Sequence, residues 1–200
     1  MTTKRKPRLA QVVKEIRACR ICEPHLPHGP RPILRVSEHA RLCIIAQAPG
    51  LRVHETGLSF DDPSGDRLRS WLAIDRDTFY DESQVAVIGM GFCFPGYDAH
   101  GGDKPPRPEC ASTWHDRLFA ALPDFDLTLL VGSYAQNRYL APRRKETMTE
   151  TVRAWREYGP RFMPLPHPSW RNNAWLKKNP WFEDELLPDL RKRVAKALAR

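Results

Sequence analysis

"RLCIIAQAPG" (residues 41–50) is a continuous apolar run that ends in a short turn of small residues, proline and glycine. The run does not alternate, so both faces of the strand it predicts must be covered, as in a parallel sheet. Two runs of the same kind follow, "QVAVIGMG" (84–91) and "LTLLVGS" (127–133), and a weaker fourth is "RFMPLP" (161–166). Amphipathic stretches at 64–74, 109–121, 134–141 and 146–157 lie between or beside them. A first helix is predicted over 8–18, with Leu9, Val12, Val13 and Ile16 at helical spacing, and a last helical segment over 181–199. Pro188 should break that segment or begin a new helix. Strands alternating with helices predict a three-layer α/β/α sandwich around a central, mainly parallel four-stranded sheet.

Two hundred residues suffice for one domain with a real core, and no composition shift marks a boundary, so residues 1–200 are expected to form a single unit. Residues 1–7 read as a flexible basic N-terminus. No apolar run is long enough to span a bilayer, and the first residues lack the apolar core of a secretory signal. The expectation is a cytoplasmic monomer without a membrane partner. Lys and Arg number 32 against 24 Asp and Glu, a formal net charge of +8, which favours a polyanionic partner. The charge is clustered in "TKRKPR", "APRRK", "SWRNNAWLKK" and "RKRVAKALAR", and aromatic residues near several clusters suit phosphates and base faces together.

Five cysteines in a cytosolic chain point to metal or redox chemistry more than to disulfides. Cys43 lies inside an apolar strand and reads as structural. Cys19 and Cys22 form a C-x2-C pair after the first helix, and Cys93 and Cys110 flank a Pro/Gly-rich loop. Four thiolates so spaced suit either zinc or a [4Fe–4S] cluster. His100 and His115 are near enough in sequence to be alternative ligands, and both read as surface residues.

Ligands of open α/β sheets bind beyond the carboxyl ends of the strands. Each strand here exits into an unusual loop: "AQAPG", "GMGFCFPG", "GSYAQN" and "PHPSWRNN". In the last, Pro166 and Pro168 stiffen the backbone on either side of His167. Taken in order, Ala46-Gln47-Ala48-Pro49-Gly50, "TGLSFDDPSGDRL" (56–68), His167-Pro168-Ser169 and the four cysteines resemble the motifs of the uracil-DNA glycosylase superfamily. The likeness is to its iron–sulfur-containing bacterial and archaeal branches, the family 4 and 5 type, over roughly residues 15–190.

The resemblance implies a monofunctional DNA glycosylase that excises uracil or a related deaminated base and so initiates base excision repair. Its partner would be DNA containing a damaged base. No lysine sits in a motif that suggests Schiff-base chemistry. By resemblance Phe60 stacks on the extruded base, Ala48 and Gly89 line its pocket, and His167 donates to the departing oxygen. Ser169 grips a phosphate, while Trp170, Arg171 and Asn172 face DNA, with Trp170 or Arg171 filling the gap in the duplex. Cys19, Cys22, Cys93 and Cys110 would hold a [4Fe–4S] cluster, with zinc the alternative.

Two positions depart from the pattern. Many relatives carry an acid where this chain has Gln47, which orients water but cannot take its proton. One branch without that acid uses an aspartate just past the aromatic, and Asp62 matches that place, although Asp62-Pro63-Ser64-Gly65 is also a good helix-start signal. Several branches place an asparagine where Gly89 stands, to read the uracil edge. Two rivals follow: a glycosylase-like DNA-binding protein with lost or altered catalysis, and a cysteine–metal enzyme of free nucleotides.

Overall fold

The computed structural model describes residues 7–199. The basic stretch 1–7 therefore lies, except for Pro7, outside the described residues. Strands β1 (Leu42–Ala46), β2 (Val85–Gly89), β3 (Leu127–Val131) and β4 (Phe162–Leu165) form one sheet in the order β2-β1-β3-β4. Every pairing is parallel: Leu42 stands opposite Val85 and Leu127, and Thr128 opposite Phe162. All four expected strands are present, each a little shorter than its apolar run. Helices cover both faces, giving the α/β/α sandwich.

The helices are α1 (Leu9–Arg17), α2 (Leu51–Thr56), α3 (Pro63–Leu72), α4 (Arg76–Tyr80), α5 (Pro108–Ala121), α6 (Ser133–Tyr139), α7 (Met148–Arg153), α8 (Asn173–Lys178) and α9 (Leu187–Leu198). The expected segment 181–199 divides where its proline demanded: a π turn, Phe182–Leu186, precedes α9, and Pro188 occupies the first turn of that helix. There the missing N–H costs nothing. Three short helices, α2, α4 and α8, were not expected from the sequence, being too short to show a hydrophobic period.

Strand residues alternate between two cores. Leu42, Ile44 and Ala46 face Leu68, Trp71 and Leu72 of α3, Phe79 of α4 and Leu190 and Val194 of α9. Cys43 and Ile45 face Val12 and Ile16 of α1 and Ala111, Trp114 and Leu118 of α5. This explains why the strands read as continuous apolar runs: neither face meets water. Cys43 is fully buried, as expected.

The two edge strands are handled differently. On β4, Pro164 sits opposite Leu130, a position tolerable because the outer side of an edge strand needs no donor. On β2, residue Arg35 makes an antiparallel bridge to Val87 that closes the exposed edge. The Arg35 guanidinium is buried against the Phe79 and Tyr80 rings and donates to the Phe79 carbonyl at 2.8 Å.

Ile44 is wholly buried in the central strand. Ile44→Ala removes three methyl or methylene groups from a packed interior and should destabilise the fold by roughly 2–5 kcal/mol, read from urea denaturation.

Candidate active site

At the carboxyl edge of the sheet lies a cleft of about 510 Å³, within the size range of small-ligand sites. Ala46, Ala48, Pro49 and Gly50 line it from the β1 exit, Gly89 from the β2 exit, and His167, Pro168, Ser169, Trp170 and Arg171 from the β4 exit. Ser59, Phe60, Asp62 and Arg67 close one wall, and Tyr97 and Asp103 stand at the mouth. Of the residues expected to meet at a base pocket, Phe60, Ala48, Gly89, Asp62 and His167 share this cleft.

His167 is placed by several contacts. The backbone N–H of Ser169 donates to His167 Nδ1 at 3.2 Å. With Nδ1 accepting, the ring proton sits on Nε2, which leaves one N–H to donate. Burial holds the imidazole below its ordinary pKa, and the nearby Asp62 carboxylate opposes this only in part. The ring is therefore a neutral donor at neutral pH. The side-chain amide of Asn172 donates to the His167 carbonyl at 2.7 Å, and Arg67 donates to the Ser169 carbonyl at 3.1 Å. Gly132 leaves β3 at φ +84°, and a Cβ there would stand 3.8 Å from the His167 Cβ. Asn172, expected to face DNA, thus spends its amide on fixing the His167 backbone. The Ser169 hydroxyl accepts from Arg171 N–H at 3.3 Å, capping the turn Trp170–Asn172.

Phe60 has φ +59°, a conformation that β-carbon-bearing residues rarely adopt. Its carbonyl accepts from Tyr80 Oη at 3.1 Å and Arg69 Nη1 at 3.3 Å. A Cβ on Gly65 would fall 1.8 Å from that same carbonyl, so only glycine fits there. The ring is shared: it packs edge-on against Phe79 in the core and also lines the cleft. Asp62 caps α3, accepting from Gly65 N–H at 2.8 Å through Oδ1, and lines the cleft as well. The helix-start reading therefore holds, and the same carboxylate borders the cleft. Its neighbour Asp61 is bound instead to Arg76 at 2.9 Å and Arg52 at 3.7 Å.

The cleft floor is backbone. Met90 N–H donates to the Ala46 carbonyl at 2.8 Å and Gly91 N–H to the Gln47 carbonyl at 3.0 Å, tying the β2 exit to the β1 exit. A Cβ on Gly89 would lie 2.3 Å from the Gly91 carbonyl, so no side chain is admitted at this position. Gln47 is half-buried on the turn, but its neighbours, not it, line the cleft. Trp170 is 72 % exposed and Tyr97 46 % exposed, a pair of aromatic side chains on the rim.

The reading of His115 as a surface residue is corrected: it is fully buried on α5. Its Nε2 lies 3.0 Å from the Gly89 carbonyl and its Nδ1 2.6 Å from Tyr139 Oη, while the ring stacks on Phe92. Only its helical spacing from Ala111 and Leu118 could have hinted at this. Asp103 and Arg67 were missed because a single acid or arginine in a polar stretch carries no periodicity.

Cys19, Cys22, Cys93 and Cys110 line one pocket with Ile21, Leu26, Pro32, Phe92 and Trp114. Trp114 Nε1–H donates to Cys19 Sγ at 3.4 Å, and Phe92 N–H to Cys110 Sγ at 3.3 Å. Burial, with smaller contributions from the neighbouring thiols, pushes Cys93 up to about 11 and Cys110 up to about 12. Among the described residues no group of three or more His, Cys, Asp or Glu side chains is placed to hold a metal ion. The four cysteines share one pocket.

Burial lowers the His115 pKa from 6.5 to about 4. Between those values the unfolded chain binds a proton that the folded one refuses, so stability should fall as pH drops from 6.5 towards 4. The difference is worth about 3 kcal/mol. His115→Gln should flatten this part of the stability–pH curve in urea denaturation, and an unchanged slope would remove the assignment.

A crystal structure of wild-type SMUG2 from Pedobacter heparinus is similar at 13% sequence identity. The match covers 80% of this chain and 74% of that one, with a TM-score of 0.33. The family model of the uracil DNA glycosylase superfamily matches residues 35–191, from the bridge on β2 through the first turn of α9. With that span covering most of its length, and with its cleft at the strand exits, the chain belongs to the uracil DNA glycosylase superfamily.

Proposed function

We propose that the protein is a monofunctional DNA glycosylase that hydrolyses the N-glycosidic bond of uracil or a related deaminated base in DNA. The observation that carries this reading is the His167 imidazole, whose Nδ1 accepts from Ser169 N–H and so leaves Nε2 to donate, in the same cleft as Phe60. An extruded base would stack on Phe60 and lie over the backbone of Ala48 and Gly89. Cleavage sends the C1′–N1 electron pair into the base, and His167 Nε2–H meets the charge that develops on its oxygen. A neutral donor suits this step because a desolvated ring does not hold a proton that the anion would have to compete for.

The sugar left behind is electron-poor and is captured by water. Asp62 Oδ1 is occupied by the helix cap, and Oδ2 is the atom available to face sugar or water. Gln47 stands where relatives carry an acid and would orient the water, its side chain turning towards the cleft to do so. Arg67, Ser169 and Arg171 supply the cationic and polar rim for phosphates. Trp170 is exposed enough to enter the duplex where the base has left. The chain would act as a cytoplasmic monomer and a single domain; among the described residues no helix is long and apolar enough to cross a membrane.

For the cysteines we propose a [4Fe–4S] cluster. The donor set fits: four thiols in a mostly apolar pocket, two of them already accepting N–H hydrogen bonds of the kind that stabilise thiolate charge. When bound, the cluster would serve as a covalent tie between the segment after α1 and the loop 93–110 that borders the cleft. Purified protein should be brown, with broad absorbance near roughly 400 nm, and Cys93→Ala should bleach it. A colourless preparation with stoichiometric zinc would overturn the assignment.

In single-turnover assays on uracil-containing oligonucleotides, His167→Ala should slow excision by about 10²–10³-fold while duplex binding stays within a few-fold. Equal loss of both would assign His167 to phosphate contact. A panel of uracil, hypoxanthine, xanthine and thymine mismatches identifies the base. Retardation of DNA with no alkali-sensitive product from any of them would select the DNA-binding alternative, which the uncharged Gln47 favours.

A further inference from the structure

The loop between Cys93 and Cys110, read from the sequence only as rich in proline and glycine, carries an acid to the cleft. Tyr97 and Asp103 form an antiparallel bridge, and Lys104 N–H donates to the Gly96 carbonyl at 2.9 Å. The tip is closed by Asp98, whose N–H donates to the Gly102 carbonyl at 2.7 Å and whose Oδ1 accepts from His100 and Gly102 N–H at 2.8 and 2.9 Å. This small hairpin holds Asp103 against the β1 exit: a Cβ built on Gly50 would lie 3.5 Å from Asp103 Oδ2.

The carboxylates near the cleft differ in how far they are already committed. Asp61 is ion-paired with Arg76 and Arg52. Asp98 closes the hairpin, and Asp62 has one oxygen on the helix cap. Among the described residues none donates a hydrogen bond to the Asp103 carboxylate, although the Arg171 guanidinium is near enough to attract it. Burial and the neighbouring Asp62 and Asp98 charges raise its pKa, while Arg171 opposes them. An uncommitted acid in a cleft, raised in this way, is a candidate for chemistry.

We propose that Asp103, delivered by the 96–104 hairpin, is a catalytic carboxylate of this site, facing the sugar of the extruded nucleotide from the side opposite Asp62. The inference rests on the glycosylase reading given above and adds a residue to it. Gly50 and Asp103 lie at the mouth and Phe60 deeper, so the base would occupy the interior and its deoxyribose the level of Asp103. As the C1′–N1 bond breaks, its electron pair leaves with the base and C1′ becomes cationic, a charge that the Asp103 carboxylate stabilises. A water oxygen then bonds to C1′, its proton passes to Asp103, and from there it goes to solvent or to the departing base anion. No oxidant or other co-reactant is needed. The acid missing at position 47 is in this way replaced from a different part of the chain.

The test uses the full-length protein and two readouts. Asp103→Asn should lower the single-turnover excision rate by about 10²-fold with duplex affinity unchanged or higher, because a negative charge leaves the DNA-facing mouth. The second readout does not depend on turnover. Affinity is compared for duplexes carrying a cationic pyrrolidine or a neutral tetrahydrofuran in place of one deoxyribose. The wild-type protein should prefer the cation, and Asp103→Asn should reduce that preference about tenfold. Asp103→Ser repeats both measurements without the amide.

A wild-type excision rate in both variants overturns the role of Asp103 and leaves the glycosylase reading standing. If the wild-type protein excises no base, that reading fails, and the cation preference still decides whether Asp103 faces the sugar. An equal preference in wild type and variants, or none in wild type, overturns the proposal.

Discussion

The four strands pair in parallel without a break, so all of them leave the sheet along the same edge. That constraint brings together segments as distant in sequence as Ala46–Gly50 and His167–Ser169. It also dictates where small residues must stand. Met90 and Gly91 donate to the Ala46 and Gln47 carbonyls, an approach that works only because Gly89 has no side chain. Gln136, buried at the base of α6, donates to the Leu130 and Leu165 carbonyls at 3.2 and 2.9 Å, which ties the exits of β3 and β4 to one another. These ties join the β2 exit to the β1 exit and the β3 exit to the β4 exit.

The site draws on the stability of the rest of the fold. Phe60 is held at a positive φ, His167 is half-buried with its pKa lowered, and His115 is buried beneath the floor. Each is unfavourable alone: a strained backbone costs of order 1–3 kcal/mol, and a desolvated histidine gives up its proton. The compensation is local and specific. Tyr80 and Arg69 bind the carbonyl of Phe60, Ser169 N–H satisfies His167, and Tyr139 with Gly89 satisfies His115. Such features lie around the cleft because a site needs donors fixed before the substrate arrives.

How much of this was legible in the sequence follows from the range of each interaction. The strands were plain because their burial on both faces removes every polar residue from five consecutive positions in β1. The turn at Ala46–Gly50 and the stiffened His167 were legible because proline and glycine act on their own backbone. The capping role of Asp62 was legible for the same reason, its partner being three residues away. Legibility ended where partners are far apart in sequence. Nothing near His115 announces Gly89 and Tyr139, and Asn172 looked like a DNA contact until its amide was found on the His167 carbonyl. Asp103 lay in a stretch read for its glycines and prolines, and only the hairpin geometry brings it to the cleft.

The charges around the cleft face two opposed demands. DNA asks for cations, and the basic chain supplies Arg67 and Arg171 at the rim. An electron-poor sugar asks for anions, and Asp62 and Asp103 lie at the same cleft. Placed without order, these groups would pair and neutralise each other, as Asp61 does with Arg76. The fold keeps them apart by giving each guanidinium or carboxylate a backbone partner or a separate element: Arg67 is turned to the Ser169 carbonyl, Asp62 to Gly65 N–H, and Asp103 is mounted on its own hairpin. The attraction between Arg171 and Asp103 links the two sets. A phosphate that engages Arg171 would draw it from Asp103 and leave the carboxylate free for the sugar. On the proposed function, binding of the DNA backbone and readiness of the acid would then be coupled through this pair of charges.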